Sequence, residues 1–358
     1  MVKIADVAKL AGVSPITVSR VINKTTPVRE ATRQKVQEAI NELGYVPNLV
    51  ARSLATNQTK TVGVLLTNLE NPIYASYLSG IAETARIQGY DMIIYSAVDY
   101  DNALTGVNVL LSKQVDGFII LPLESNQRVT AASSKLAVTQ ARDFYIQFNQ
   151  IAGAIIEQQN KPFVLIGHHH LNDKMTFISD DYKEGARMAV GYLVSQGHKQ
   201  IGFMGHAMFE EGIWGERRAG YFEAMKQNGL EVRESFVLKA LHTVEDSYLS
   251  MSRFLTDCTE LPTAIYCSND IMAVGVINAC KDHGVCVPKA LSVIGHDGST
   301  IGESVVPSLT TVSICPHLTG QTAFMTILKL LRQEKDAEKD VIIPPELVER
   351  QSVCRPNK

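Results

Sequence analysis

Gly12 restricts what this chain can become more than any other single residue. Ahead of it, Ile4, Val7, Ala8 and Ala11 recur at i, i+3, i+4 and i+7, which is one face of a helix. The glycine breaks that pattern. Ser14 then offers an N-cap, and Pro15 takes the first helical position, where its missing N–H costs nothing. Val18, Val21 and Ile22 supply the buried face of a second helix. Two short helices across a tight glycine turn form a helix-turn-helix. The second helix turns Pro15, Ile16, Thr17, Ser19, Arg20 and Asn23 outward, and these are groove-reading side chains. Arginine can bond guanine bidentately, and isoleucine or threonine methyls can pack on a thymine methyl. Taken alone, the pattern also suits a plain helical hairpin resting on a larger core.

The next residues separate these alternatives. Arg29 to Gly44 reads as a third amphipathic helix, with Val36, Ala39, Ile40 and Leu43 inward and Gly44 closing it. After Pro47 comes a segment long enough for only about two helical turns. Asp6-Val-Ala, Ala11-Gly-Val-Ser, Thr17-Val-Ser-Arg, Gly44-Tyr-x-Pro-Asn48 and Ala51-Arg-Ser-Leu54-Ala together resemble the headpiece of the LacI/GalR family of bacterial transcription regulators. The resemblance runs without gaps to the end of this segment. It implies a hinge helix that enters the minor groove, with Leu54 as the wedge into the central base step. Ile4, Ser14, Thr32, Asn48 and Ala51 are placed in the same DNA-contacting set. The match departs at Arg29, where the family often has a capping serine. Arginine cannot cap, so that helix start is expected to be weaker and Arg29 is assigned to phosphate.

Charge follows the same boundary. Residues 1–60 carry nine Lys/Arg against four acids, and the remainder carries 25 against 33. A basic module on an acidic body is the footprint of a DNA-binding headpiece. No signal peptide precedes Ile4 and no apolar run reaches the length of a membrane span, so a cytoplasmic protein is expected. The six cysteines lie in the last third without a CxxC pair and read as free thiols. His168-His-His170 lacks further ligands at metal spacing, so neither a metal nor a cofactor is expected.

From Thr61 onward, strands and helices alternate in two tandem sets. Such alternation gives parallel sheets covered on both faces. The expected fold class is α/β, two-lobed and similar to periplasmic binding proteins, behind an N-terminal helix-turn-helix. The expected domains are a headpiece at 1–46, a hinge and linker at 47–60, a core at 61–345 and a tail at 346–358. Crossings between lobes are expected near 178–181, 296–300 and 312–315. Arg128 to Asn160 reads as helical throughout, an insertion relative to the family.

Ligands of such folds bind beyond the C-terminal ends of strands. The resemblance carries effector-binding roles onto Arg217, Asn269 and Asp297. Trp214 adds a flat apolar face, and Tyr74 and His168 follow strands one and four. A cap or turn role is the competing reading for Asn269 and Asp297. No phosphate loop, HExxH or GxSxG is present, and Asp180 and Asp181 are adjacent, so they point apart on a strand. An enzyme is therefore not expected. A solute-binding protein would leave residues 1–60 without a role. The expected protein is a homodimeric repressor on a pseudo-palindromic duplex operator, away from membranes. It would control carbohydrate uptake or catabolism genes through a sugar in the cleft, with a nucleobase or nucleoside as the alternative effector.

Overall fold

The computed structural model describes residues 2–23, 26–46, 58–66, 69, 71–97, 100–121, 153–167, 175–207, 212–334 and 340–357. Residues 1–59 and 60–358 form two compact units. In the first, α1 (Ile4–Ala11), α2 (Pro15–Asn23) and α3 (Glu30–Leu43) close around Val7, Ala8, Val18, Val36 and Ala39. Gly12 adopts φ 65° and returns its N–H to α1, a left-handed turn that a residue with a Cβ would enter at a cost. Arg29 stands at the start of α3 without a side-chain cap, as its chemistry requires.

The second unit holds two six-stranded sheets. Its elements are β1 (Thr61–Leu66), α4 (Pro72–Gln88), β2 (Asp91–Ser96), α5 (Tyr100–Ser112), β3 (Gly117–Ile120), β4 (Phe163–Ile166) and β5 (Thr176–Asp180). There follow α6 (Tyr182–Ser195), β6 (Ile201–His206), α7 (Gly212–Gln227), β7 (Val237–Ala240), α8 (Val244–Asp257), β8 (Ala264–Cys267) and α9 (Asp270–Asp282). The last are β9 (Ser292–Asp297), β10 (Thr310–Ser313), α10 (Pro316–Leu331), β11 (Asp340–Ile343) and β12 (Glu346–Val348). The first lobe is ordered β11-β5-β4-β3-β1-β2 and the second β12-β10-β9-β8-β6-β7. All pairings are parallel except β10 with β12. Strands buried on both faces, such as β3, β4 and β8, are continuous apolar runs, as sheets covered by helices on both sides demand.

The crossings differ from expectation at one point. The chain leaves the first lobe between β5 and α6 and returns between β10 and α10, as expected. Near 296–300 it does not cross. Instead β10 pairs with β9, Thr310 opposite Ile294, so the intervening loop stays in the second lobe. The third crossing lies between β11, which pairs with β5, and β12, which pairs with β10. The segment after β12 is tied to the second lobe. Ser352 Oγ donates to the Val293 carbonyl at 2.5 Å, and Cys354 N donates to Ser292 Oγ at 3.1 Å. Of the expected long helix at 128–160, residues 153–158 are helical and 159–160 turn, while 128–152 lie outside the described residues. Among the described residues, no helix is long and apolar enough to cross a membrane.

Candidate DNA-reading surface and effector cleft

In the headpiece, capping consumes part of the expected reading surface. Ser14 Oγ accepts the Thr17 N–H at 3.2 Å and lies 2.9 Å from the Thr17 hydroxyl. Asn23 Nδ2 donates to Ser19 Oγ at 3.2 Å. Pro15, Ile16 and Arg20 remain outward, with Ile16 64% exposed. A large β-branched side chain held in water one turn before an arginine suits contact with base edges better than core packing. Ile4 is half-buried and packs against the headpiece core. Arg29 is exposed and Thr32 half-buried. Asn48, Ala51 and Leu54 lie outside the described residues.

In the second unit, a recess opens between the lobes, lined by residues that follow the C-terminal ends of strands. Tyr74 and Tyr77 come from α4 after β1, and Tyr182 from α6 after β5. Trp214 and Arg217 come from α7 after β6, His242 from the loop after β7, and Asn269 and Asp297 from the ends after β8 and within β9. Five expected residues thus converge: Tyr74, Trp214, Arg217, Asn269 and Asp297. His168 lies outside the described residues.

Arg217 anchors the group. It is 2% exposed, and its Nη2 donates to Asp297 Oδ1 at 2.6 Å while Nη1 donates to the Ser268 carbonyl. The guanidinium carbon lies 4.9 Å from the Tyr182 ring centre and 5.3 Å from that of Trp214. Nε, buried, has no partner among the described residues. Burial opposes the positive charge, but the Asp297 carboxylate outweighs it and lifts the Arg217 pKa above its ordinary value. Burial pushes the Asp297 carboxyl up, against the pull of Arg217. Asp297 itself sits at φ 118°, a strained conformation for a non-glycine residue. The loop beyond it is held by Asp270, which accepts Ser299 N at 2.7 Å and Thr311 Oγ1 at 2.5 Å.

Both readings of Asn269 hold at once. Its Oδ1 caps α9 by accepting Met272 N at 3.0 Å, and its Nδ2 contacts His242 Nε2 within the recess. Sequence reasoning missed Tyr77, Tyr182 and His242. Tyr182 was recoverable, because it follows a strand end as Tyr74 does. His206 and His242 bracket Trp214, with ring centres at 4.9 and 5.1 Å. Burial lowers the pKa of His206 to about 4. Burial, then His206 and Arg217, lower that of His242 to about 3, so both imidazoles are neutral near pH 7. Among the described residues no three metal-ligating side chains converge.

A helix-turn-helix unit joined to a two-lobed ligand-binding core defines a ligand-responsive DNA-binding regulator. The model for bacterial regulatory proteins of the lacI family matches residues 3–48, and that for a periplasmic binding protein-like domain matches residues 190–353. The HTH-type transcriptional repressor PurR of Mannheimia succiniciproducens is 34% identical over 355 residues, covering 99% of each chain. That of Vibrio campbellii is 32% identical over 359 residues, covering all of both. The lac repressor dimer bound to operator and the anti-inducer ONPF superposes with a TM-score of 0.78 at 26% identity, covering 99% of each chain. The chain belongs to the LacI family, and it is a DNA-binding transcriptional repressor. The sugar effector finds no support among these full-length relatives, which share the name PurR. The nucleobase alternative fits them better.

Proposed function

We propose that this repressor binds a pseudo-palindromic operator as a homodimer and takes a purine nucleobase or nucleoside as its effector. The observation that carries the effector class is the chemistry of the recess. Tyr74, Tyr77, Tyr182, Trp214 and His242 give it flat walls, and Ile73, Ile213 and Ile314 add apolar surface. The open polar valences are few. Asn71 and Asn269 spend their Oδ1 atoms as helix caps, on Ile73 N and Met272 N. Among the described residues, Arg217 Nε has no partner and Asp297 accepts from Arg217 through Oδ1. A donor beside an acceptor complements the N–H and C=O edge of a base, and aromatic faces stack on its ring. A sugar, with hydroxyls all round, would leave most of them unpaired against these rings. The relatives that bear the name PurR point the same way.

Trp214 is the sole tryptophan, so its emission reports on the cleft directly. Titration with hypoxanthine, guanine, adenine, D-ribose and D-glucose should give saturable change with a purine and none with the sugars. Saturation by a sugar with all three purines inert would overturn the effector class.

A further inference from the structure

Asp180 is a fully buried carboxylate behind the lining of the cleft. It is 1% exposed, ends β5, and does not itself line the recess. Three helices deliver hydroxyls to it. Tyr77 of α4 donates to Oδ2 at 2.8 Å, Tyr182 of α6 to Oδ2 at 3.2 Å, and Thr319 of α10 to Oδ1 at 2.8 Å. The first and third come from the first lobe, where α4 and α10 cross at two glycines. A Cβ on Gly80 would lie 2.0 Å from the His317 carbonyl, and one on Gly320 2.2 Å from that of Tyr77. That close approach brings Tyr77 and Thr319 to a single carboxylate. Tyr182 stands on the other side of the first crossing, at the start of a helix packed on the second lobe. Its ring carries the Arg217 guanidinium, and both tyrosine rings line the recess.

We propose that Asp180 is the positioning residue of the effector cleft: its carboxylate holds the hydroxyls of Tyr77 and Tyr182 and so fixes one aromatic wall from each side of the interlobe crossing against the ligand. The inference rests on the recess being the effector site, and not on the effector being a purine. An ionised carboxylate accepts from all three hydroxyls, whereas a neutral one has to give a proton to one of its neighbours and loosens the set. Burial, against those three hydrogen bonds and Arg217, raises the Asp180 pKa to about 6. The charged and titratable groups facing it are the phenols of Tyr77 and Tyr182, both raised well above their ordinary value, together with Arg217, and Asp297 acts in turn on the two phenols. Cys315, also raised, senses the same carboxylate. Asp297, itself raised by burial, faces the two phenols, and a substitution at Asp180 separates the effects of the two carboxylates.

The test uses the full-length protein, hypoxanthine as probe and Trp214 emission as signal. Wild type should bind less tightly as pH falls from 7.5 to 5.5. Asp180→Asn keeps the shape but has one acceptor oxygen in place of two and no charge, so its amide nitrogen meets a hydroxyl that donated to the carboxylate. It should bind about tenfold less tightly or worse at pH 7.5, and lose the pH dependence in that window. Tyr77→Phe and Tyr182→Phe should each weaken binding, and neither should weaken it further in the Asp180→Asn background. Affinity within twofold of wild type, or tyrosine losses that add in full to that of Asp180→Asn, would overturn the proposal. If hypoxanthine leaves wild type unchanged, the purine reading fails and acrylamide quenching of Trp214 in the free protein decides on Asp180. Quenching should rise in wild type as pH falls through about 6 and be high and flat in Asp180→Asn; identical profiles would overturn the proposal. A thermal melt of Asp180→Asn at pH 7.5 no lower than wild type separates loss of positioning from loss of folding.

Discussion

Arg217→Ala exposes the energetics of the cleft most severely, because the arginine is a buried structural ion as well as the proposed ligand group. Its removal leaves the Asp297 carboxylate, 5% exposed, buried beside no cation, and leaves the Ser268 carbonyl without its donor. Breaking one side of a buried pair costs about 3–5 kcal/mol. The orphaned carbonyl and the lost contacts with Tyr182 and Trp214 overlap with that figure rather than adding to it in full. A loss of about 4 kcal/mol is expected, a large share of the roughly 5–15 kcal/mol that holds a typical domain together. The assay is urea unfolding read by Trp214, which reports the second unit whatever the headpiece does. Asp297 gains a proton more readily in the variant, so the loss should shrink as pH falls from 7.5 to 5. Asp297→Ala completes a double-mutant cycle. The double variant should lose about 1.5–3 kcal/mol less than the two single losses together, since removing both charges leaves neither stranded. A loss under about 1 kcal/mol for Arg217→Ala, or strict additivity in the cycle, would refute the buried-pair reasoning.

Other consequences can be measured separately. Asp180 has its pKa raised from 3.8 to about 6, so its stabilising share is complete below about 4 and is lost as pH rises through about 6. Asp180→Asn should therefore gain up to ~3 kcal/mol on wild type at pH 7.5 and almost nothing at pH 4, by urea midpoints; an equal gap at both pH values would contradict this. Ile16→Ala should weaken operator binding about five- to tenfold and erase any preference for thymine over uracil in the half-site, measured with uracil-substituted duplexes. Retained discrimination in that variant would remove Ile16 from base reading. Leu54→Ala should weaken operator binding and leave purine affinity unchanged, and parallel loss of both would contradict a wedge role.

The headpiece was legible because its signals agree. The helical period, the Ser14-Pro15 start and the Gly12 turn all point to one arrangement, and the structure holds each of them. The alternation of strands and helices was equally plain. The ends of the second lobe were not. The strand β10, Thr310–Ser313, is a polar Thr-Thr-Val-Ser run buried between neighbours, with no apolar stripe to announce it. The strands β11 and β12 are short and separated by Pro344 and Pro345, so the pattern read as one strand and a tail. In the cleft, Arg217, Asn269 and Asp297 sat in recognisable local contexts. Tyr77 and His242 did not: a tyrosine at core spacing on a helix, or a histidine in a loop, looks the same in sequence whether it packs or binds. The Asp180 cluster rests on hydrogen bonds between residues 103 and 139 positions apart, which no local pattern contains.

The central claim is that the cationic headpiece and the cleft share one free energy. Fluorescence anisotropy of an operator duplex selected from a randomised library, with and without saturating hypoxanthine, tests it most directly when paired with hypoxanthine titration of free and DNA-bound protein. The purine should change operator affinity by a factor that operator binding returns in purine affinity, about 5- to 150-fold. Operator binding that is indifferent to a purine shown to occupy the cleft would contradict it.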